Sequence, residues 1–158
     1  DAEMNAPVFL NHDEDYPADY MPTILKEVKT IAMVGASANP TAFSYGVLRV
    51  LHETGYNMIP VNPRLAGSDI RGLKVYESLA SIPEPIDMVQ VFRDKSALYG
   101  IAEEAIAVGA KVLWGQIGVV DPEAAKLAEA AGLKVVMNKC PKIELFRPFW
   151  KPKLDLGI

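Results

Sequence analysis

The sequence predicts a single α/β domain of three layers, built on a doubly wound parallel sheet, and three observations carry that prediction. Its strand candidates are short and almost wholly apolar, the pattern of strands buried on both faces rather than of half-wet ones. Three helical segments end in a glycine, Gly55, Gly109 or Gly132, and each glycine is followed closely by an apolar run. The 158 residues, 50% hydrophobic and 23% charged, suit one compact domain with a buried core. Alternation of strand and helix at this pace, with right-handed crossovers, places helices on both faces of the sheet.

Residues 1–21 mix acids, Pro7, Pro17 and scattered aromatics without a sustained period, and read as an N-terminal arm lying on the domain or partly disordered. The domain is expected over 22–147, followed by a tail over 148–158. Pro22 suits a first helical turn, and Ile24, Leu25 and Val28 share a face, which predicts a short helix from Thr23 to Lys29. The first strand is Thr30 to Val34, ending at Gly35. A helix near Ser44 to Thr54 leads to a strand from Asn57 to Val61, and Ile70 to Tyr76 predicts a short edge strand. After the loop holding Pro83 and Pro85, strands follow at Asp87 to Phe92, Lys111 to Trp114 and Lys134 to Met137. Asp121-Pro122-Glu123 orders a capping carboxylate, a first-turn proline and an acid that complements the helix dipole, marking a helix start. Ser44 and Asp94 are candidates for the same capping role. A last helix is expected from Lys142 to Phe146.

Composition excludes several function classes. Sixteen Lys and Arg against twenty Asp and Glu leave a net charge of −4, the wrong sign for neutralising many phosphates along a nucleic acid. No uncharged apolar run is long enough to span a bilayer, and the acidic N-terminus lacks a secretory profile, so the expected location is cytoplasmic, with no membrane partner. The one cysteine, Cys140, has no internal disulfide partner, and His12 and His52 are too far apart for the usual zinc-ligand spacing. No Ser-His-Asp or Cys-His arrangement follows from spacing, so no catalytic residue is assigned.

In open parallel sheets the ligand crevice lies beyond the carboxyl ends of the strands, so the residues just after each strand are the informative ones. After the first strand, Gly35 and Ala36 let a ligand approach the backbone, and the helix that follows offers amide donors and its positive dipole end to a phosphate. The competing reading is that Gly35 makes a tight turn and nothing more. No glycine occurs between Gly35 and Gly46, so the three-glycine dinucleotide fingerprint is missing, as is the Lys-Ser/Thr pair of a nucleoside-triphosphate loop. After the second strand, Asn62 and Arg64 stand where a plain NAD site wants an acid. A guanidinium there favours a phosphorylated ribose, either the 2′-phosphate of NADP or the 3′-phosphate of coenzyme A, against the alternative of a solvated loop cation. Arg93 either faces the crevice or pairs with a neighbouring acid. Gln116, between Gly115 and Gly118, can hydrogen-bond an amide or a base edge, while Trp114 reads as core or cleft wall. Cys140, beside Lys139 and a helix start, is either an activated thiol or an inert small hydrophobe.

Five stretches in order carry a resemblance: Val34-Gly35-Ala36-Ser37 with Asn39-Pro40 and Ser44-Tyr45; Ile59-Pro60-Val61-Asn62-Pro63; Val91-Phe92-Arg93; Trp114-Gly115-Gln116-Ile117-Gly118; and Cys140-Pro141-Lys142-Ile143-Glu144. Together, from about Ile24 to Arg147, they make the chain similar to the small bacterial and archaeal CoA-binding proteins, whose fold resembles the CoA-binding domain of succinyl-CoA synthetase. The resemblance implies a Rossmann-like fold that binds coenzyme A, free or acylated, at the strand ends without catalysis. It implies phosphate at Ser37 and its neighbours, including Asn39, Pro40, Ser44 and Tyr45. The adenosine end falls to Asn62, Pro63 and Arg64, and the rest of the ligand to Phe92, Arg93, Gln116, Gly118, Lys139 and Cys140. Two departures stand out: Ala42-Phe43 replaces an Arg-Pro pair common in the family, and Asn138 replaces an acid. Loss of a buried arginine–phosphate bond would remove about 1.5–3 kcal/mol and weaken the ligand's hold.

The residues leave other readings open: an NADP-binding oxidoreductase or redox sensor built on Arg64, a thiol enzyme using Cys140, or an interaction domain in which Phe146 to Trp150 docks a partner or a second copy in a homo-oligomer.

Overall fold

The computed structural model describes residues 6–147. The tail, and with it most of the docking segment Phe146 to Trp150, lies outside the described residues. In chain order the elements are α1 (Tyr20–Glu27), β1 (Thr30–Val34), α2 (Phe43–Thr54), β2 (Asn57–Val61), β3 (Asp69–Ile70), β4 (Leu73–Lys74), β5 (Met88–Val91), α3 (Leu98–Ala107), β6 (Val112–Gly115), α4 (Pro122–Ala130), β7 (Lys134–Val136) and a last helix, α5, over 141–147. The main sheet has five strands in the order β2-β1-β5-β6-β7, all parallel. The chain winds outward from β1 to β2, then returns to the middle and winds the other way from β5 to β7. The reversal between β1 and β5 is the switch point at which such sheets open a crevice. Register holds the strand ends level there, with Val34 opposite both Val61 and Val91.

Both faces of the sheet are covered, which is why its strands read as continuous apolar runs. Ala32, Val34, Val89, Val91, Leu113 and Val135 pack on one face against α3 and α4. Ile31, Met33, Met88, Val112, Trp114 and Val136 point the other way, against α1 and α2. Trp114 is fully buried, a core residue. Among the described residues no helix is long and apolar enough to cross a membrane.

The predicted punctuation has physical counterparts. The three helix-closing glycines all have positive φ, from 77° at Gly109 to 117° at Gly55. Asp121 Oδ1 caps α4 by accepting the N–H groups of Glu123 and Ala124 at 3.0 and 3.3 Å. Ser44 does not cap α2: the N-cap position is Ala42, which has no capping side chain, and Ser44 is buried in the first turn. Asp94 caps a 3-10 turn just ahead of α3, accepting from Ser96 N at 2.9 Å and Oγ at 2.6 Å. The expected edge strand from Ile70 to Tyr76 is instead an antiparallel β3–β4 hairpin, turned by Arg71 and Gly72 at φ 52° and 80°, after which Tyr76 pairs alongside Val61. Helix α1 begins at Tyr20, two residues ahead of Pro22, because a proline in the first turn lacks only an N–H that has no helical partner there.

Both sheet edges are closed. Along β2, Tyr76 N–H donates to Pro60 O at 3.0 Å and Asn62 N–H to Tyr76 O at 3.0 Å. Pro60 is tolerated because its backbone faces this edge, where a missing N–H breaks no ladder bond. Along β7 the closure is made by side chains of the arm and α1. Val135 N–H donates to Tyr20 Oη at 3.0 Å, and Tyr20 O–H donates to Val135 O at 2.9 Å. One step along, Met137 N–H donates to Tyr16 Oη at 2.8 Å, and the two rings stack with centroids 5.4 Å apart. Two hydroxyls thus stand in for the strand that is absent. Tyr16 Oη also lies 2.7 Å from His12 Nδ1, and His12 Nε2 lies 3.0 Å from Glu129 Oε2, the two side chains being 6% and 2% exposed.

Burial pushes the Tyr16 hydroxyl up to about 12, with the Met137 donor working against it and the Glu129 charge adding to it. Burial raises Tyr20 as well. Both groups therefore contribute their full stability below pH of about 10, the ordinary tyrosine value, and lose it as pH rises above that, Tyr16 toward about 12. Thermal melts between pH 8 and 11.5 are expected to show this alkaline loss. A Tyr16→Phe/Tyr20→Phe double variant should start about 1–3 kcal/mol less stable at pH 8 and lose less on going to pH 11.5.

Candidate functional site

The candidate site forms where β1, β2 and β5 end. Phe92 N–H donates to Val34 O at 2.8 Å, and the N–H groups of Gly35 and Ala36 both donate to Val61 O, at 3.0 and 3.4 Å. Gly35 has φ +90°, and a Cβ there would lie 2.2 Å from Phe92 O, so only glycine lets the two strand ends come this close. The amides of Gly35 and Ala36, where the sequence lets a ligand approach the backbone, are therefore engaged within the sheet. The available donors lie further along the loop. Among the described residues, the backbone N–H groups of Ser37, Ala38, Phe43 and Ser44 have no hydrogen-bond partner, and the last two form the open N-terminus of α2. The loop between is shaped by its own side chains: Asn39 N–H donates to Ser37 Oγ at 3.1 Å, and Thr41 N–H donates to Asn39 Oδ1 at 3.0 Å.

Asn62 is a brace. Its Nδ2 donates to Ala36 O at 2.8 Å and its Oδ1 accepts Arg64 N–H at 2.9 Å, which ties the first loop to the 3-10 turn Pro63–Leu65 and fixes where Arg64 leaves the backbone. Arg64 and Arg93 face a cleft of about 380 Å³ bounded also by Gly35, Asn62, Pro63 and Phe92. Both arginines are exposed, and among the described residues neither joins a salt bridge. The pairing of Arg93 with a neighbouring acid is therefore not what the structure has. Its stem instead runs over Gly35, with Cδ 3.1 Å from where a Cβ would be.

The structure thus brings together Gly35, Asn62, Pro63, Arg64, Phe92 and Arg93, with Ser37, Asn39 and Pro40 on the adjoining loop and Ser44 buried in the first turn of α2. Other candidates lie elsewhere. The Tyr45 ring has the Arg71 guanidinium 5.8 Å from its centroid, on the side of the β3–β4 turn. Gly118 N–H donates to Asn138 Oδ1 at 2.8 Å, so the residue that replaces the family's acid clips the β6 loop to the β7 loop. Lys139 and Cys140 follow β7, four strands and roughly 19 Å from the β2 edge. Cys140 is 1% exposed and packs into the core, while its carbonyl accepts the Glu144 N–H that opens α5. Gln116 is buried against Gln90. Sequence reasoning passed over two residues here. Phe43 is 56% exposed, with its ring centroid 6.2 Å from that of Phe92, an aromatic pair at the rim. Gln90 is a lone polar residue in the apolar run Met88–Val91, and that interruption was the signal.

A second cavity, of about 240 Å³, opens at the opposite ends of the strands beside Asp87 and Lys111. Its carboxylate already has partners: Asp87 Oδ2 accepts the N–H groups of Lys29 and Thr30 at 2.9 Å each. Burial disfavours the charge, yet these donors and Lys111 outweigh it and hold the Asp87 carboxyl below its ordinary range. It closes the start of β1.

Residues 29–145 match the family model described as CoA binding domain. The chain is 40% identical over 120 residues to the uncharacterized protein YneT of Bacillus subtilis, an alignment covering 76% of this chain and 87% of that protein. It is 29% identical over 122 residues to the alpha subunit of an ADP-forming acetate–CoA ligase of Pyrococcus furiosus, spanning 68% of this chain and 26% of that subunit. A hypothetical protein of Pyrococcus horikoshii superposes with a TM-score of 0.78 at 37% identity, covering 85% of this chain and 96% of that one.

Substitutions at the cleft should separate scaffold from surface. Gly35→Ala is expected to lower unfolding free energy by at least about 2 kcal/mol in urea melts, because it must push Phe92 away. Arg64→Ala and Arg93→Ala, which break no ion pair, should stay within about 0.5 kcal/mol of the parent.

Proposed function

The chain belongs to the CoA-binding domain family, and from that premise we propose that it binds coenzyme A at the carboxyl ends of its strands, with no catalytic step of its own. The observation that carries the reading is that, among the described residues, Arg64 and Arg93 make no ion pair and flank Gly35 at the strand ends beside four backbone amides without partners. Coenzyme A presents the matching chemistry, a pyrophosphate and a ribose 3′-phosphate on one nucleotide. The amides of Ser37, Ala38, Phe43 and Ser44 suit the pyrophosphate, because they point fixed partial positive charge at an anion. Arg64, held by the Asn62 brace at the end of β2, suits the 3′-phosphate, where a guanidinium forms two parallel charge-assisted bonds. Arg93 lies between them, over Gly35.

The net charge of −4 does not oppose this, since the cations are local to the cleft. Ala42-Phe43 in place of Arg-Pro leaves the pyrophosphate to backbone donors alone, so the expected affinity is modest. The thiol-enzyme reading loses ground with Cys140 in the core. The NADP reading rests on Arg64 alone, since nothing in the cleft asks for a nicotinamide.

Thermal stability with coenzyme A, dephospho-coenzyme A and NADP tests the proposal. A ligand at 100 times its Kd should add about 2.7 kcal/mol, which coenzyme A is expected to do at the lowest concentration of the three. No shift with either coenzyme, where NADP does shift the transition, would sink it. Arg64→Ala should weaken coenzyme A about tenfold or more and leave dephospho-coenzyme A nearly unchanged, as measured by titration calorimetry.

A further inference from the structure

An arginine occupies a backbone position that suits asparagine or glycine. Arg71 and Gly72 link β3 to β4 with φ 52° and 80°, and a two-residue turn with positive φ at both positions is the one that Asn-Gly makes with least strain. Among the described residues Asn138 is the other non-glycine with positive φ, and asparagine visits that region readily whereas a long unbranched side chain does not. A residue in a sparsely populated conformation persists where its surroundings over-determine it. Here the side chain is what is held. The Arg71 guanidinium lies 5.8 Å from the centroid of the Tyr45 ring, and its Nη2 lies 3.6 Å from Glu53 Oε2. Tyr45 and Glu53 are about two turns apart on α2, so the tip of the hairpin grips that helix along its length.

Residues 62–76 leave the end of β2 and return alongside it as one hydrogen-bonded body. Gly67 N–H donates to Val75 O at 3.1 Å, Val75 N–H to Ser68 O at 2.9 Å, and Ser68 N–H to Leu65 O at 3.0 Å. Ile70 and Val75 are buried in the core layer that holds Val47, Leu48 and Leu51 of α2, with Leu65, Leu73 and Tyr45 packed against it. Arg64 stands at one end of this body, beside the Asn62 brace, and Arg71 at the other. Among the described residues, Arg71 makes both polar contacts between the body and α2. The helix it grips is the one whose first amides, on Phe43 and Ser44, lack partners, and Tyr45 is the next residue. The spacing between the Arg64 guanidinium and those amides depends on how the body sits on the helix, and Arg71 is the polar contact at that seat.

We infer that Arg71 is a positioning residue for the ligand's phosphates. By holding the hairpin tip on Tyr45 and Glu53 it sets the distance between Arg64 and the amides that open α2, and through that distance the preference for a nucleotide that carries a ribose phosphate as well as a diphosphate. Arg71 touches no ligand itself and acts through Arg64. The inference rests on the coenzyme A reading above and adds to it a residue outside the cleft. Tyr45, a candidate for phosphate contact by sequence, takes part here as the surface on which the guanidinium rests. Both partners of the ion pair are partly exposed, at 32% and 54%, so the effect to look for is a modest one.

Titration calorimetry with coenzyme A and dephospho-coenzyme A tests it on the full chain, on Arg71→Gly, on Arg64→Ala and on the double variant. Glycine removes the grip while relieving the backbone, so the melting temperature of Arg71→Gly should fall by no more than about 3 °C; Arg71→Asn, which also suits the turn, serves if the glycine variant folds poorly. The expected result is a loss of about three- to tenfold in coenzyme A affinity, with dephospho-coenzyme A unchanged within about twofold. In the Arg64→Ala background the same substitution should change coenzyme A affinity by less than about twofold, because the group that Arg71 positions is gone. Equal weakening of both ligands assigns Arg71 a purely structural role and overturns the inference. So does an unchanged coenzyme A affinity, or a double variant in which the two losses multiply. If the parent prefers coenzyme A to dephospho-coenzyme A and Arg71→Gly keeps that preference, this inference falls while the coenzyme A reading stands. A parent that binds both equally removes the contact between Arg64 and the 3′-phosphate, and this inference with it. If it binds neither, the coenzyme A reading itself fails.

Discussion

A backbone carbonyl occupies the space that a side chain on residue 35 would need. From this contact between Gly35 and Phe92 O the rest of the candidate site follows. It lets the ends of β1 and β5 close to within a hydrogen bond, Phe92 N to Val34 O, at the point where the sheet reverses its winding. The Arg93 stem then lies over the turn, and the first loop is directed outward with its later amides free. A glycine at a strand end is a common sight. What matters here is which atom it makes room for, a neighbouring strand rather than a phosphate.

The same economy shows in how polar groups are used. Asn62 spends both ends of its amide within the fold, on Ala36 O and Arg64 N, and so fixes where Arg64 leaves the backbone. Tyr16 and Tyr20 spend their hydroxyls on the outer edge of β7, and Tyr76 pairs with the outer edge of β2. With both faces under helices and both edges closed, the strand ends are the part of the sheet left to meet a ligand. The polarity of the two ends differs. At the amino ends Asp87 already accepts two backbone N–H groups at Oδ2 and faces Lys111 at Oδ1, whereas at the carboxyl ends two arginines and four backbone amides lack partners among the described residues. Unspent donors at one end and spent acceptors at the other give the domain its direction.

Two buried polar pairs, one imidazole–carboxylate and one amide–amide, complete the account of the interior. His12 and Glu129 seal the arm against α4, each satisfied by the other and by neighbours, and their role is accounted for by that closure. Gln90 and Gln116 satisfy each other only in part, at the carboxyl ends of β5 and β6. A satisfied pair rigidifies the contact it closes, and a partly satisfied one carries a cost in the same low-dielectric environment.

The amino-acid sequence by itself determined the elements and their type: which runs are strands, where Gly55, Gly109 and Gly132 close helices, where Asp121 opens one, and that the sheet is parallel with covered faces. Those properties are local. They depend on the period of apolar residues and on backbone angles within a few positions, and both can be read along the chain. The motifs after the strands also identified which loops gather at one rim. Only the tertiary structure decided how each group in those loops is used, because hydrogen bonds are exclusive and their partners come from distant segments. The Gly35 and Ala36 amides go to Val61 O, the Asn62 amide to Ala36 O, the Cys140 side chain into the core, and the Asn138 amide to Gly118. No pattern along the chain reports which donor is already taken. That is settled when β1, β2 and β5 come level, and among the described residues it leaves the Arg64 and Arg93 side chains and the backbone amides of Ser37, Ala38, Phe43 and Ser44 without partners.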